Sequence, residues 1–257
     1  MADRYALITG ASSGIGAEFA RQLAAQGVHL ALVARNEERL NALRAEIRAT
    51  FPVAVEVLPA DLSEESGMAG VVTFIQALPG LDYLINNAGF GTTDLFAESD
   101  IDRQLRMVAV HVNATLRLCR AALPRMIERG SGAIINVASV SAFGPTPHSP
   151  TYSASKAALV NFSRGLQSEL RGTGVRVQAL CPGFTRTHFH DGEEFKGFRQ
   201  ERLPDFMWLR ADGVVRDSLR ALRLGGPVVV VPGWFYRLAV TFIQTPVGRF
   251  LLEAVSG

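Results

Sequence analysis

Short, continuously apolar stretches alternate along the chain with longer stretches whose apolar residues recur at helical spacing. Continuous apolar runs are typical of parallel strands that are covered on both faces. The pattern predicts strands at 5–9, 29–33, 53–58, 81–85, 133–138, 175–180 and 228–231. Helical patterns lie between these runs, for example at 15–26 and 37–50. The alternation predicts an α/β fold with a doubly wound parallel sheet of about seven strands and helices on both faces.

No linker rich in proline or serine and no block of charge interrupts this alternation, so residues 1–257 are interpreted as one domain. Residues 188–208 mix aromatic, histidine, glycine and charged residues, and we interpret them as a substrate lid. Residues 233–257 form an apolar, aromatic C-terminal tail, in which polar residues and prolines interrupt every stretch before the roughly 18 apolar residues of a membrane span. A helix docked on the domain is favoured for this tail over peripheral contact with a membrane surface.

Composition excludes several classes of protein. Hydrophobic residues make up 48% of the 257 residues and charged residues 19%, which excludes bulk disorder. The formal net charge of +2 is too small for a nucleic-acid-binding surface, so no nucleic acid partner is expected. The two cysteines, Cys119 and Cys181, form neither a disulfide framework nor part of a metal-ligand cluster, and no metal is expected. The amino terminus lacks the features of an export signal, and a cytoplasmic location is expected.

A glycine-rich turn at residues 9–16 joins the first predicted strand to the first helix. Glycine lets the backbone turn sharply and approach a pyrophosphate, and the start of the helix presents free N–H groups to the phosphates. The position after the opening strand is where a dinucleotide-binding fold carries such a turn. The candidate cofactor-binding residues in it are Gly10, Ser12, Ser13, Gly14, Ile15 and Gly16.

The end of the second predicted strand carries Arg35, and no acidic residue occurs there before Glu37. In dinucleotide folds, a carboxylate at this position binds the 2′-hydroxyl of the adenosine ribose. A guanidinium instead favours a 2′-phosphate, because it forms two charge-assisted hydrogen bonds to it. The pattern therefore favours NADP(H) over NAD(H), and the alternative is a solvated arginine at the start of a charged helix.

Polar residues follow the third and fourth predicted strands. Asp61 and Leu62 come where an adenine would lie, although an aspartate before a helix also acts as an ordinary cap. Asn87, Ala88 and Gly89 follow the fourth strand, at the edge of the sheet where ligands bind in such folds, and a simple turn is the alternative.

Ser139, Tyr152 and Lys156 form the most informative constellation. Ser139 ends the fifth predicted strand, and Tyr152 and Lys156 are four residues apart in the following helix, which places them on one face. A phenol has a pKa near 10, and a nearby ammonium favours the phenolate and lowers that pKa. The sequence contains only two lysines, Lys156 and Lys196, which weakens the alternative of a chance surface pair.

These motifs together resemble the short-chain dehydrogenase/reductase family over nearly the whole chain. The turn at 9–16 matches the family's cofactor turn, and residues 86–89 match its Asn-Asn-Ala-Gly element. The resemblance implies a Rossmann-like domain, a nicotinamide cofactor, and a segment at Pro182, Gly183, Thr185 and Thr187 that contacts the nicotinamide carboxamide. It also implies a catalytic tetrad of Asn113, Ser139, Tyr152 and Lys156.

The resemblance implies a division of roles within the tetrad. Tyr152 would donate a proton to the carbonyl oxygen of the substrate, Ser139 would hold that oxygen, and Lys156 would lower the pKa of the tyrosine and hold the ribose of the nicotinamide nucleotide. Asn113 would support a water path from Lys156 to solvent. The residues themselves had indicated for Asn113 only an asparagine inside a helix.

The resulting hypothesis is an NADPH-dependent carbonyl reductase, reversible as an alcohol dehydrogenase, that acts on an apolar ketone, aldehyde or 3-ketoacyl group. The substrate site is predicted at Ser139, Val140, Tyr152 and Phe184, with Phe90 and His148 as further contributors. A homodimer through the two long central helices is expected. The alternative is a cofactor-binding regulatory or scaffold protein that does not turn over a substrate.

Overall fold

All seven predicted strands form, and they lie in one parallel sheet. A computed structural model describes residues 4–78, 80–187, 204–248 and 250–251. The strands of the sheet are β1 (Tyr5–Thr9), β2 (His29–Ala34), β3 (Val55–Pro59), β4 (Leu81–Asn86), β5 (Gly132–Val137), β6 (Val175–Leu180) and β9 (Val229–Val230). Two short strands that the pattern did not predict, β7 (Thr185–Arg186) and β8 (Leu209–Arg210), pair with each other in parallel.

The helices follow the strands as a doubly wound fold requires. They are α1 (Gly14–Ala24), α2 (Glu37–Thr50), α3 (Glu65–Ala77), α4 (Ile101–Val108), α5 (Ala114–Arg129), α6 (Pro150–Glu169), α7 (Ala211–Arg223) and α8 (Trp234–Ile243). A π-helical turn, Ala109–Asn113, joins α4 to α5. A short 3₁₀ helix, Val140–Phe143, follows β5.

The strand order in the sheet is β3-β2-β1-β4-β5-β6-β9, and every pairing is parallel. The chain therefore leaves β1 in one direction for β2 and β3, and in the other for β4 and the strands beyond it. Loops that leave β1 and β4 at their carboxyl ends diverge at this point and open a crevice, which is where ligands bind in such sheets. The fold is a single Rossmann-like domain.

Helices cover both faces of the sheet, which is why its strands are continuously apolar. Along β1, Ala6 and Ile8 pack on the side of α1, α2 and α7, whereas Leu7 packs on the side of α3, α5 and α6. Successive side chains of a strand point to opposite faces, so two buried faces favour apolar residues at most positions of the strand.

The tail begins with α8, which packs one side onto the domain. Tyr236 and Val240 are buried, whereas Trp234, Leu238 and Phe242 on the other side are exposed. None of the helices in the described ranges is both long and apolar enough to cross a bilayer. Residues 188–203 of the predicted lid, and residues 249 and 252–257 of the tail, lie outside the described residues.

Candidate active site

The glycine-rich turn after β1 lies directly against the loop after β4. Asn87 Nδ2 donates to the carbonyl oxygens of Thr9, at 3.0 Å, and Gly10, at 3.1 Å. Thr9 Oγ1 accepts from the backbone N–H groups of Asn87, at 2.9 Å, and Ala88, at 3.0 Å. A Cβ on Gly16 would lie 2.3 Å from the oxygen of Gly10, so this helix position excludes every side chain. The turn is thus held in one conformation by the neighbouring loop.

The start of α1 offers the features that a pyrophosphate requires. Gly10 and Gly14 have φ angles of +64° and +56°, a conformation that glycine adopts without strain. No side chain caps the helix at Ser13. The first N–H groups of a helix have no intrahelical acceptor, and they carry the positive end of the helix dipole. The residues present therefore fit the phosphates of a dinucleotide, with Ser12, Ser13 and Ile15 beside these glycines.

The predicted nicotinamide segment reaches the same turn. A Cβ on Gly14 would lie 3.0 Å from the side chain of Thr187, so the end of this segment packs onto the phosphate turn. Thr185 is buried, and its Oγ1 donates to the oxygen of Gly183 at 2.9 Å. The oxygen of Pro182 accepts from the N–H of Val140 at 3.1 Å, which joins this segment to the residue after Ser139.

Arg35 and Asp61 lie together at the ends of β2 and β3. Arg35 Nη1 lies 4.0 Å from Asp61 Oδ2, and the side chain of Arg35 is largely exposed. Asp61 Oδ1 accepts from the N–H of Ser63 at 2.9 Å and from its hydroxyl at 2.7 Å, which forms a local turn before α3. Asp61 does not cap this helix, because α3 begins at Glu65 and its N-cap residue is Glu64. Burial opposes ionisation of Asp61, but these hydrogen bonds and the charge of Arg35 lower its pKa. Leu62 beside it is buried.

Ser139 and Tyr152 are brought together at the carboxyl end of β5. Tyr152 lies in the first turn of α6, and the side chain of Ser139 acts on its phenol. Burial raises the pKa of Tyr152 to about 12, and the Ser139 side chain, which lowers this pKa, only partly offsets the effect of burial. The pKa of Tyr152 is thus raised overall, whereas a lowered value was expected, because burial disfavours the phenolate more strongly than its neighbours stabilise it.

Lys156 is buried beside the phenol. Its Nζ lies 5.5 Å from the centre of the Tyr152 ring and donates to the oxygen of Val137 at 2.9 Å. Burial lowers the pKa of Lys156 to about 8. The ammonium is therefore costly at this position, and a small change in its surroundings decides whether it carries charge at neutral pH.

The remaining predicted residues lie on four different segments of the chain. Asn113 ends the π-helical turn, and its side chain is exposed. Val140 begins the 3₁₀ helix after Ser139, and the Phe184 ring packs against that of Trp208 in a tilted arrangement, with ring centres 5.6 Å apart. His148 is an exposed loop residue with a φ of +62°. No group of three His, Cys, Asp or Glu side chains within the described residues could hold a metal ion.

A buried polar chain beneath the site was not predicted. Asn86 Nδ2 donates to Asn136 Oδ1 at 2.8 Å, and Asn136 Nδ2 donates to Ser163 Oγ at 2.9 Å. These bonds join β4, β5 and α6 just below the ends of the strands. No sequence signal identifies them, because the partners are 50 and 27 positions apart.

Two further residues were missed by the sequence reasoning, His111 and Tyr236. His111 lies fully buried in the π-helical turn, with its ring 5.7 Å from that of Tyr152. The Tyr236 ring occupies the place where a Cβ on Gly183 would lie, and its hydroxyl accepts from the N–H of Phe184 at 3.1 Å. A histidine inside an otherwise apolar helical run was the only signal for the first, and the second depends on where the tail docks.

Comparison with known proteins agrees with this geometry. Residues 4–195 match the family model of the short chain dehydrogenases. The chain belongs to this family. An uncharacterized oxidoreductase of Staphylococcus saprophyticus is 39% identical over 186 residues, which cover 72% of this chain and 80% of the relative.

Solved structures of the family superpose over almost the whole chain. A short-chain dehydrogenase from Sphingobium yanoikuyae in complex with NADPH is 32% identical, with a TM-score of 0.82 and coverage of 99% of this chain and 93% of that one. The bulky-bulky ketone specific alcohol dehydrogenase from Comamonas testosteroni is 30% identical, with a TM-score of 0.80 and coverage of 98% and 91%. This short-chain dehydrogenase is therefore an oxidoreductase with a nicotinamide nucleotide as its cofactor.

Replacing Gly16 with alanine should abolish cofactor binding, because the new Cβ would displace the oxygen of Gly10 and deform the phosphate turn. Calorimetric titration with NADPH and with NADH measures this loss. Gly70→Ala is the matched control, since a Cβ there meets no atom within 4 Å and the residue lies inside α3. Equal affinities of the two variants would show that the turn does not contact the cofactor.

Lys156 should make the free energy of unfolding rise with pH above about 8. Its pKa is about 8 in the folded protein and about 10.5 when exposed, so the unfolded chain holds more protons between these values. The difference in unfolding free energy between the wild type and Lys156→Met, from urea titrations at pH 7.5 to 9.5, measures this contribution. The value for the wild type minus the value for Lys156→Met should increase by about 1 kcal/mol per pH unit within that window. A difference that is constant with pH would contradict the lowered pKa.

Proposed function

We propose that this short-chain dehydrogenase is an NADPH-dependent carbonyl reductase, reversible as an alcohol dehydrogenase. The observation that carries the proposal is the cluster of Ser139, Tyr152 and Lys156 at the carboxyl end of β5. The side chain of Ser139 lowers the pKa of the Tyr152 phenol, and the Nζ of Lys156 lies 5.5 Å from the Tyr152 ring. The nicotinamide segment meets this cluster through the bond between Val140 and Pro182. NADPH, when bound, supplies a hydride to the carbonyl carbon.

Tyr152 is the proton donor at the substrate oxygen. With its pKa raised to about 12, the phenol is protonated throughout the neutral range. Hydride addition to a carbonyl creates an alkoxide, which is a stronger base than a phenolate, so proton transfer from Tyr152 is favourable. The hydroxyl of Ser139 holds the same oxygen by a second hydrogen bond. The protonation state of Tyr152 thus supports the direction of reduction.

Lys156 balances the charge that this proton transfer leaves behind. An ammonium near the ring stabilises the phenolate, and the lowered pKa of Lys156 gives it a proton that can be replaced from solvent. Lys156 would also hold the ribose hydroxyls of the nicotinamide nucleotide. The water path through Asn113 stays a prediction.

Arg35 supports the choice of NADPH. It lies exposed just after β2, where the adenosine ribose lies in this fold, and its ion-pair partner among the described residues is Asp61, 4.0 Å away. A doubly charged 2′-phosphate would outcompete that distant carboxylate for the guanidinium. Asp61 and Leu62 then contact the adenine.

The substrate is proposed to be an apolar ketone, aldehyde or 3-ketoacyl group. Val140 directly follows Ser139, and Phe184, which follows Gly183 in the nicotinamide segment, makes an aromatic contact with Trp208. The relative from Comamonas testosteroni is specific for ketones with two bulky groups, which is compatible with an apolar site of this kind.

A homodimer, a cytoplasmic location and peripheral membrane contact stay predictions. The exposed Leu105 and Leu116, on α4 and α5, support a dimer through the central helices. The exposed side of α8, with Trp234, Leu238 and Phe242, is the surface that would contact a membrane.

Replacing Tyr152 with phenylalanine should reduce turnover by about a thousandfold or more, because it removes the proton donor and keeps the ring. The assay follows loss of NADPH absorbance with benzil and with acetophenone as probe substrates, and calorimetry should show nearly unchanged NADPH affinity. Tyr83→Phe, at the opposite end of the sheet, is the control. Turnover of Tyr152→Phe equal to the wild type would overturn the mechanism. Binding of NADPH with no turnover of any carbonyl by the wild type would favour the regulatory alternative.

The wild type should bind NADPH at least about tenfold more tightly than NADH, a difference of about 1.4 kcal/mol. Arg35→Ala should remove most of this preference by weakening NADPH alone, since NADH offers no 2′-phosphate. Arg48→Ala, at the far end of α2, is the control for a lost surface charge. Equal affinities of the wild type for the two nucleotides would show that Arg35 is only a solvated arginine.

A further inference from the structure

His111 touches three parts of the site and has no part in the mechanism above. It lies in the π-helical turn between α4 and α5, and it is 1% exposed. Its Nε2 accepts from the N–H of Phe90 at 3.2 Å. Its Nδ1 is 2.8 Å from the hydroxyl of Ser155, in the helix that carries Tyr152 and Lys156.

The hydrogen bonds assign the tautomer of this imidazole. The Ser155 hydroxyl donates its single hydrogen to the backbone carbonyl oxygen of Tyr152 at 2.7 Å. It therefore accepts a hydrogen bond from His111. Nδ1 therefore carries the proton. The N–H of Phe90 is a donor, so Nε2 must present a lone pair. Both contacts require the same neutral form of the ring.

The surroundings of the ring hold it in this neutral form. Burial and the charge of Lys156 keep the pKa of His111 well below its ordinary value. An added proton on Nε2 would break the bond from Phe90 and place a second positive charge near Lys156. The imidazole is therefore a neutral connector throughout the neutral pH range.

The ring also fills the space between the three segments that it joins. A Cβ on Gly89 would lie 2.6 Å from Nε2, so the loop after β4 rests on the imidazole. The Tyr152 ring packs against it edge-on at 5.7 Å, and the Phe90 ring is 6.1 Å away. The imidazole thus contacts the Tyr152 ring and, through Ser155, the Tyr152 backbone.

We propose that His111 is a positioning residue for Tyr152: its neutral imidazole sets the orientation of the phenol relative to Ser139 by joining the loop after β4 to the first turn of α6. The inference rests on the proposed function, because it assigns Tyr152 the role of proton donor. Small displacements of such a donor cost much of the rate, whereas cofactor binding depends on other contacts.

The test separates turnover from cofactor binding. His111→Phe keeps a ring and removes both hydrogen bonds, and we expect kcat for benzil to fall about tenfold or more with the Kd for NADPH changed less than about twofold. His111→Asn places an amide near Nδ1 and His111→Gln places one near Nε2, so each retains one bond. Both should recover part of the lost kcat. Recovery by these polar variants distinguishes orientation of Tyr152 from mere filling of space.

His29 provides the matched control. Its Nδ1 accepts from the N–H of Ala54 at 3.0 Å, and its ring packs on Tyr5 at the opposite end of the sheet. His29→Phe removes a histidine–backbone bond of the same kind, and its kcat should equal that of the wild type. A kcat loss of similar size in His29→Phe would attribute the effect of His111→Phe to general destabilisation and overturn the proposal.

Ser155→Ala tests the route through the serine. If His111 acts on Tyr152 through Ser155, the double variant of His111→Phe and Ser155→Ala should lose little more kcat than the more damaged single variant. Fully multiplicative losses would overturn this route.

Several results would overturn the proposal. They are a kcat within about twofold of the wild type in His111→Phe, or a loss of kcat that a matching loss of NADPH affinity explains. If His111→Phe does not fold, His111→Asn and His111→Gln are measured instead. A kcat within about twofold of the wild type in both would overturn the proposal. Nitrogen-15 spectra of the wild-type histidines give an independent test, since an imidazolium or an Nε2–H tautomer at His111 would contradict the assignment. Loss of activity in Tyr152→Phe but not in His111→Phe would overturn this inference and leave the proposed function standing.

Discussion

The contact between the turn after β1 and the loop after β4 determines the geometry of the whole site. Two glycine positions in the turn have no room for a side chain, and Asn87 binds the carbonyl oxygens of Thr9 and Gly10. A parallel sheet brings the ends of β1 and β4 together, but only this close contact sets the orientation of the free N–H groups of α1. The same loop continues to Gly89, which rests on His111. The phosphate turn and the catalytic helix are thereby connected.

Beneath this edge, buried amides hold the strands and helices in register. Asn86, Asn136 and Ser163 form one chain of hydrogen bonds across β4, β5 and α6. A buried polar group that loses its partner is costly, so each of these residues restricts where its neighbours can lie. Apolar packing of the two helix layers supplies most of the stability, whereas these bonds specify the position of the helix that carries Tyr152 and Lys156.

Burial changes the chemistry of that pair in opposite directions. It raises the pKa of Tyr152 and lowers that of Lys156, because each charged form loses solvation. The phenol therefore stays protonated at neutral pH, and the lysine releases its proton more easily than an exposed one. His111 is kept neutral by the same burial and by Lys156. Burial thus favours the neutral form of each of these three groups.

The sequence by itself determined the seven strands, the parallel doubly wound sheet, the glycine-rich turn and the family. These features depend on local patterns: apolar runs, glycines next to a strand end, and Tyr152 four residues before Lys156. The tertiary structure decided what depends on contacts between distant residues. His111 meets Phe90 and Ser155 only because the π-helical turn, the loop after β4 and α6 converge, and Tyr236 reaches Gly183 only because α8 docks beside it. The direction of the Tyr152 pKa shift also differed from the prediction, since spacing identifies a charged neighbour but burial depends on the packing of the whole site.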